Sequence, residues 1–146
     1  MTTSEQVWKI LEDRWDKGFD GLLIEEKQAI ALWWLQAETM NGGLDQFFWN
    51  SSGDLALLAR AALHGLEQRA TLAALDSALQ HFGASYPVER EERMQALKKI
   101  EQEHGVEVFT PASDVIQDLP EDFVEAAIIR LLEVYARNGI YLKKES

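Results

Sequence analysis

Residues 23–43 read LIEEKQAIALWWLQAETMNGG, and this stretch decides the fold. From Leu23 to Met40 the apolar side chains Ala29, Ile30, Leu32, Trp33, Trp34, Leu35 and Ala37 occupy most of the circumference of a 3.6-residue period. A helix apolar on nearly all sides belongs at the centre of a domain. Asn41-Gly42-Gly43 ends it, because Asn and Gly tolerate the left-handed backbone of a helix C-terminus. The longest unbroken apolar run, Ala29–Leu35, is far shorter than the ~20 residues that span a bilayer.

Outward from this segment the period stays helical. Thr2-x-x-Glu5 has the form of a capping box, with Ser4 as a second N-cap candidate. Val7, Trp8, Ile10, Leu11 and Trp15 then define one apolar face, broken at Gly18 and Gly21. On the other side, Leu44–Asn50 reads as one or two helical turns. Ser51-Ser52-Gly53-Asp54 reads as a turn feeding a new helix. Leu55–Leu66, Thr71–Phe82 and Glu89–His104 are predicted helices, the last charged and exposed apart from a stripe of Met94, Leu97 and Ile100. Val106–Thr110 reads as an extended linker and Pro111–Leu119 as a short helical turn. Pro120 suits position N1 of a last helix, Glu121–Asn138, which Gly139 stops. The core face of that helix is Phe123, Ala127, Ile128, Leu131, Leu132 and Tyr135. The tail Lys143–Ser146 is expected to fray. With no repeat and no interdomain linker, the expectation is a single compact all-α domain, residues 1–146, of about six helices.

Composition narrows the function. The chain has 146 residues, and 47% hydrophobic content supplies a real core, which excludes wholesale disorder. It carries 25 Asp+Glu against 14 Lys+Arg, a net charge of -11 spread nearly evenly along its length. Direct nucleic-acid binding needs a basic stripe, and a polybasic membrane site needs clustered lysines, so both are disfavoured. The acid excess has two readings: solubility through self-repulsion, or a surface that meets a basic partner. There are no cysteines, which excludes disulfides, thiolate catalysis and Cys-based zinc sites. The opening MTTSEQVWKILEDRW lacks the basic and apolar regions of a secretory signal, so the expected location is cytoplasmic.

The residues of common chemistries do not converge. His64, His81 and His104 are far apart, and Glu101-x-x-His104 is only half of a di-iron carboxylate signature. His104 suits the dipole at the end of its helix. Ser51 and Ser52 sit in a turn without a nucleophile elbow, and no glycine-rich phosphate cradle exists. These patterns point to a non-enzymatic protein with no cofactor and no metal. Two aromatic clusters, Trp33-Trp34 and Phe47-Phe48-Trp49, read as core, with Trp49 as the ring that would face a partner.

The stretch from Glu38 to Asp54 is distinctive. Its form, E-x-x-N-G-G-x-x-Q-F-F-x-N-S-S-G-D, resembles the signature of a bacterial family of uncharacterised domains whose best-known member is a DNA mimic. Leu44 stands where the family usually has an aromatic, and Met40 where Asn is common. The resemblance implies an all-α fold, a homodimer, and an acidic surface that imitates duplex phosphates and occupies the DNA-binding face of a transcription regulator. Within the motif, Asn41, Gly42 and Gly43 demand unusual backbone angles. Glu38, Gln46 and Asn50 are expected to hydrogen-bond the carbonyls and amides of that turn, with Gly53 closing the motif. The alternative reading is a polar pocket for a small ligand or peptide, lined by Glu38, Asn41, Gln46 and Asn50.

Mimicry needs carboxylates spaced like phosphates. Acids at i and i+4 of a helix lie about 6 Å apart along the axis, on the order of that spacing. Asp114, Asp118, Glu121, Asp122 and Glu125 form the densest acidic row without a base among them. Glu121 and Asp122 also suit a helix N-terminus. A second set, Glu5, Glu12, Asp13, Asp16 and Asp20, is diluted by Lys9, Arg14 and Lys17. The expected partner is a basic protein, such as a DNA-binding regulator.

Overall fold

The computed structural model describes residues 1–140, so the expectation for Lys143–Ser146 lies outside the described residues. The described chain is all-α and holds seven α-helices: α1 (Thr3–Asp16), α2 (Ile24–Trp49), α3 (Ala56–Gly65), α4 (Arg69–Leu79), α5 (Arg90–His104), α6 (Thr110–Gln117) and α7 (Phe123–Arg137). Short 3-10 turns occupy Ser51–Leu55 and Gln80–Phe82. The extra helix relative to the sequence expectation is α6. Pro111 sits in its first turn, and Ala112, Ser113 and Ile116 face inward, which makes the segment a full amphipathic helix.

Helix α2 is the central element. It packs against α3, α5, α6, α7 and the Ser51–Leu55 turn, and Ala29 to Leu32, Leu35, Leu44, Phe47 and Phe48 are buried in one core. Its hydrogen bonding runs on to Trp49, but the backbone leaves the helix at Gly42 (φ -151, ψ 20) and Gly43 (φ 78, ψ 177). The predicted break at Asn41-Gly42-Gly43 is therefore a kink between two helical segments. The left-handed φ of Gly43 is the reason a glycine stands there. Helix α1 opens with the expected capping box: Glu5 N–H donates to Thr2 Oγ1 at 3.1 Å, and Thr2 N–H donates to Glu5 Oε2 at 2.9 Å. Helices α1 and α7 lie side by side in the same direction, since Ser4 Oγ donates to Glu125 at one end and Arg14 lies over the Tyr135 ring at the other.

Four sequence expectations are corrected. Residues 106–109 form a turn rather than an extended linker: Val108 N–H donates to the Gly105 carbonyl and Thr110 N–H to that of Glu107. The fully buried Phe109 ring pulls this turn inward. Pro120 lies outside α7, whose N-cap is Asp122, with Glu125 N–H donating to its Oδ1 at 3.2 Å. Leu132 is exposed, although the rest of the predicted α7 core face is buried. Finally, the buried side of α5 is not only the expected stripe of Met94, Leu97 and Ile100, because it includes the fully buried Arg93.

A buried carboxylate joins three helices. Glu26, at the start of α2, accepts two hydrogen bonds from Arg14 of α1 at 2.7 and 2.8 Å. It also accepts from Tyr135 of α7 at 2.8 Å and from the Leu23 N–H at 2.9 Å. Burial pushes its pKa up, but the bonds from Arg14, Leu23 and Tyr135 outweigh that and leave it below the ordinary 4.5. A depressed carboxylate pKa stabilises the fold above the unfolded value and loses that effect as pH falls through the folded value. Glu26→Gln is therefore expected to cost about 3 kcal/mol at neutral pH. The cost should shrink toward zero as denaturation is repeated below pH 4.5, the carboxylate's ordinary value.

Candidate functional site

The motif of residues 38–54 folds around two buried charges. The first is Glu38, nine-tenths buried on α2 one turn before the kink. Its Oε2 accepts from Gln46 Nε2 and from Asn50 Nδ2 at 3.2 Å, and its Oε1 accepts from Ser52 Oγ at 3.3 Å. Asn41 Nδ2 in turn donates to Gln46 Oε1 at 3.0 Å. Glu38, Asn41, Gln46 and Asn50 thus converge, but their side chains bond one another and not, as expected, the backbone of the kink. The N–H left free where the helix breaks, that of Leu44, instead donates to Ser113 Oγ of α6 at 2.8 Å.

The second buried charge is Arg93. Its guanidinium donates to the carbonyls of Phe48, Asn50 (2.8 Å) and Val88 (2.7 Å) and pairs with Asp54 at 2.9 Å. These bonds clamp the end of α2 to α5. Gly53 makes the clamp fit, because a Cβ there would lie 2.7 Å from both Arg93 Nε and the Phe47 carbonyl. Beneath the clamp, Phe48 packs against Phe82, Phe109, Tyr86 and Phe47 with ring centroids 5.0 to 6.1 Å apart. Tyr86 donates to the Gly53 carbonyl at 2.6 Å, and burial pushes its hydroxyl pKa well above the usual value.

The core reading of the aromatics holds for Phe47 and Phe48, which are fully buried, while Trp49 and Trp33 are each 38% exposed. Trp49 lines a shallow cavity of about 300 Å³ with Asp45 and Glu101. A larger cavity, about 490 Å³, lies beside Glu38, Asn50 and Ser52 and is walled by Trp15, Phe19 and Trp34.

The acidic row divides. Asp114 and Asp118 are exposed on and just after α6. Glu121 turns inward to cap α4, accepting from Ala70 N–H (2.8 Å), Thr71 N–H (3.1 Å) and Thr71 Oγ1 (2.9 Å). Burial raises its pKa, but these bonds prevail and lower it. Asp122 caps α7, and Glu125 accepts from Ser4. The fold also brings His81 and His104 together, with ring centroids 5.2 Å apart. Among the described residues no group of three or more His, Cys, Asp or Glu side chains is placed to hold a metal ion, and no helix is long and apolar enough to cross a membrane.

Fold and motif define an acidic all-α protein organised around a kinked central helix and a buried polar cluster. Residues 20–139 match the family model described as DMP19-like protein, and the chain belongs to that family, the DNA-mimic-like one its signature resembles. No curated protein and no solved structure matches the chain.

Sequence reasoning missed Arg93 and Glu26, and each had a signal. Arg93 stands four residues before Leu97, on the apolar stripe of α5, and Glu26 stands at N3 of a helix that begins after Leu23. Replacing Arg93 by Met, which has similar bulk, should cost at least about 3 kcal/mol in chemical denaturation, because it removes the donor to the Phe48, Pro87, Val88 and Asn50 carbonyls and the counter-charge of Asp54. Asp45 predicts the opposite sign. Burial, helped by the charge of Glu101, raises its pKa, so its ionisation destabilises the fold as pH rises through the ordinary carboxylate range. Asp45→Asn should therefore raise Tm at neutral pH, and the gain should vanish below about pH 4.

Proposed function

We propose that this protein is a DNA mimic whose acidic surface occupies the DNA-binding face of a basic protein, such as a transcription regulator. In this reading it binds no nucleic acid itself and works as a homodimer. The observation that carries the reading is the match of residues 20–139 to the DMP19-like protein family. The net charge of -11 supports it, since a mimic must present the sign of a phosphate backbone.

The arrangement of the acids supports a particular face. Asp114 and Asp118 are exposed one helical turn apart, about 6 Å along the axis. Asp122 and Glu125 follow at the start of α7, and the Ser4–Glu125 hydrogen bond brings the acidic start of α1, with Glu5, alongside. We assign the partner surface to Asp114, Asp118, Asp122 and Glu125, extended by Glu5. Glu121 contributes mainly as the cap of α4.

Immobilised protein is expected to capture basic DNA-binding proteins from an extract of its own cells at low salt. Raising the ionic strength or adding duplex DNA as competitor should release them, because exposed charge pairs are screened beyond a Debye length of about 8–10 Å. A quadruple variant, Asp114→Asn, Asp118→Asn, Asp122→Asn and Glu125→Gln, should lose the captured proteins while keeping its Tm within a few degrees; the Asp122→Asn side chain still accepts the cap hydrogen bond. Capture indifferent to salt, to DNA and to these four substitutions would overturn the proposal.

A further inference from the structure

Three charged side chains are buried among the described residues: Glu26, Arg93 and Glu38. Two of them are neutralised. Glu26 faces Arg14, and Arg93 faces Asp54. Glu38 differs. All its hydrogen-bond partners are uncharged, namely Gln46, Asn50 and Ser52, and among the described residues no cationic group lies within 4.0 Å of its carboxylate. A buried charge without a counter-charge is costly, and neutral hydrogen bonds offset only part of that cost.

Glu38 also borders the larger cavity. That space, about 490 Å³, is walled by the rings of Trp15, Phe19 and Trp34 and by the aliphatic side chains of Ile30 and Leu55. Aromatic rings beside a buried carboxylate match one ligand chemistry. The carboxylate accepts from N–H groups, and ring faces attract a poorly hydrated positive charge. A volume of this size accommodates a guanidinium or ammonium group with its alkyl stem. The two long contacts of Glu38 Oε1, to Asn50 and Ser52 at 3.3 Å each, leave that oxygen able to accept a stronger bond.

We propose that this cavity is a binding site for an organic cation, a guanidinium or alkylammonium group, whose N–H donors bond Glu38 and whose stem lies among Trp15, Phe19 and Trp34. Two other charges border it. The Asp54 carboxylate is already paired with Arg93. Arg90 is exposed at the rim with its Nε donating to the Trp49 carbonyl at 2.9 Å, so solvent weakens its repulsion of a cation without removing it. The site is independent of the acidic face assigned above, since none of Asp114, Asp118, Asp122 or Glu125 lines it.

The test uses the intact protein with ethylguanidinium chloride and a short capped peptide carrying one arginine, at constant ionic strength. Ethylurea and the corresponding citrulline peptide serve as neutral isosteres. Binding is followed through the indole N–H signals of Trp15 and Trp34. Both cations should shift those signals saturably, and the isosteres should bind at least about tenfold more weakly, the loss expected when a charge-assisted hydrogen bond is removed. Tighter binding of the peptide would identify a protein side chain as the source of the cation, and equal binding a free small molecule. Glu38→Gln should lower affinity by a similar factor. Should that variant fail to fold, exposed Arg90 provides a second probe: Arg90→Ala removes a like charge from the rim and should raise affinity. Silence of both indoles, equal binding of the neutral isosteres, or affinity unchanged or lowered by Arg90→Ala would overturn the proposal. None of these readouts involves a DNA-binding partner, so this site and the mimic surface fail or stand separately.

Discussion

The architecture depends on one buried guanidinium. A helix leaves its last carbonyls without partners, and α2 ends at Trp49 beside the buried rings of Phe47 and Phe48. Arg93, reaching over from α5, donates to the Phe48 and Asn50 carbonyls and so caps α2 from outside. The same group pairs with Asp54 and holds the Val88 carbonyl, so a single side chain sets the path of the chain on both sides. Lysine would not substitute: only the planar fork of arginine presents several N–H groups in fixed directions at once. The positive charge also suits the negative end of the α2 dipole. Gly53 is the steric counterpart of this choice, since any Cβ would occupy space taken by Arg93 and the Phe47 carbonyl.

Glu26 plays the matching part at the opposite end of α2. It ties the start of that helix to α1 through Arg14 and to α7 through Tyr135, with Leu23 N–H completing the set. Removing either partner of such a cluster leaves an uncompensated charge in a low-dielectric interior, so each clamp demands all its members. Between the clamps lies the kink at Gly42 and Gly43, closed by Ser113 Oγ. The central helix is thus fastened by charge at both ends and bent in the middle. That bend lets Phe47 and Phe48 enter the core while Glu38, Gln46 and Asn50 converge on its outer side.

What the sequence made legible follows from the range of the forces involved. Local signals were readable: the Thr2/Glu5 capping box, the central place of residues 23–40, the break at Asn41-Gly42-Gly43 and the stop at Gly139 all depend on neighbours within about one helical turn. The motif residues Glu38, Asn41, Gln46 and Asn50 also meet, because a helix and one kink bring them together. Illegible were the contacts that close long loops. Nothing near Ser113 marks it as the partner of Leu44, and nothing near Glu121 marks it as the cap of α4 rather than of its own helix. Arg93 was misread because charge was counted along α5 without regard to facing; its offset from Leu97 placed it on the buried side. Val106–Thr110 reads as an extended linker from its local pattern, whereas the burial of Phe109, a tertiary effect, folds that segment into a turn.

The acidic row shows why charge counts and charge functions differ. Each of its last three members has structural work: Glu121 caps α4, Asp122 caps α7, and Glu125 accepts from Ser4. Capping and partner recognition are not exclusive for a carboxylate, however. An ionised carboxyl group offers about four acceptor positions and keeps its full charge while one is in use. Asp122 and Glu125 each spend one such position, which fixes their orientation and lowers the entropy lost when a partner docks. Glu121 spends three on Ala70 and Thr71, so little of it remains for a basic side chain. The acid excess therefore resolves into acids consumed by the fold, acids oriented by it and acids left free, and only the last two kinds can present a charge pattern to another molecule.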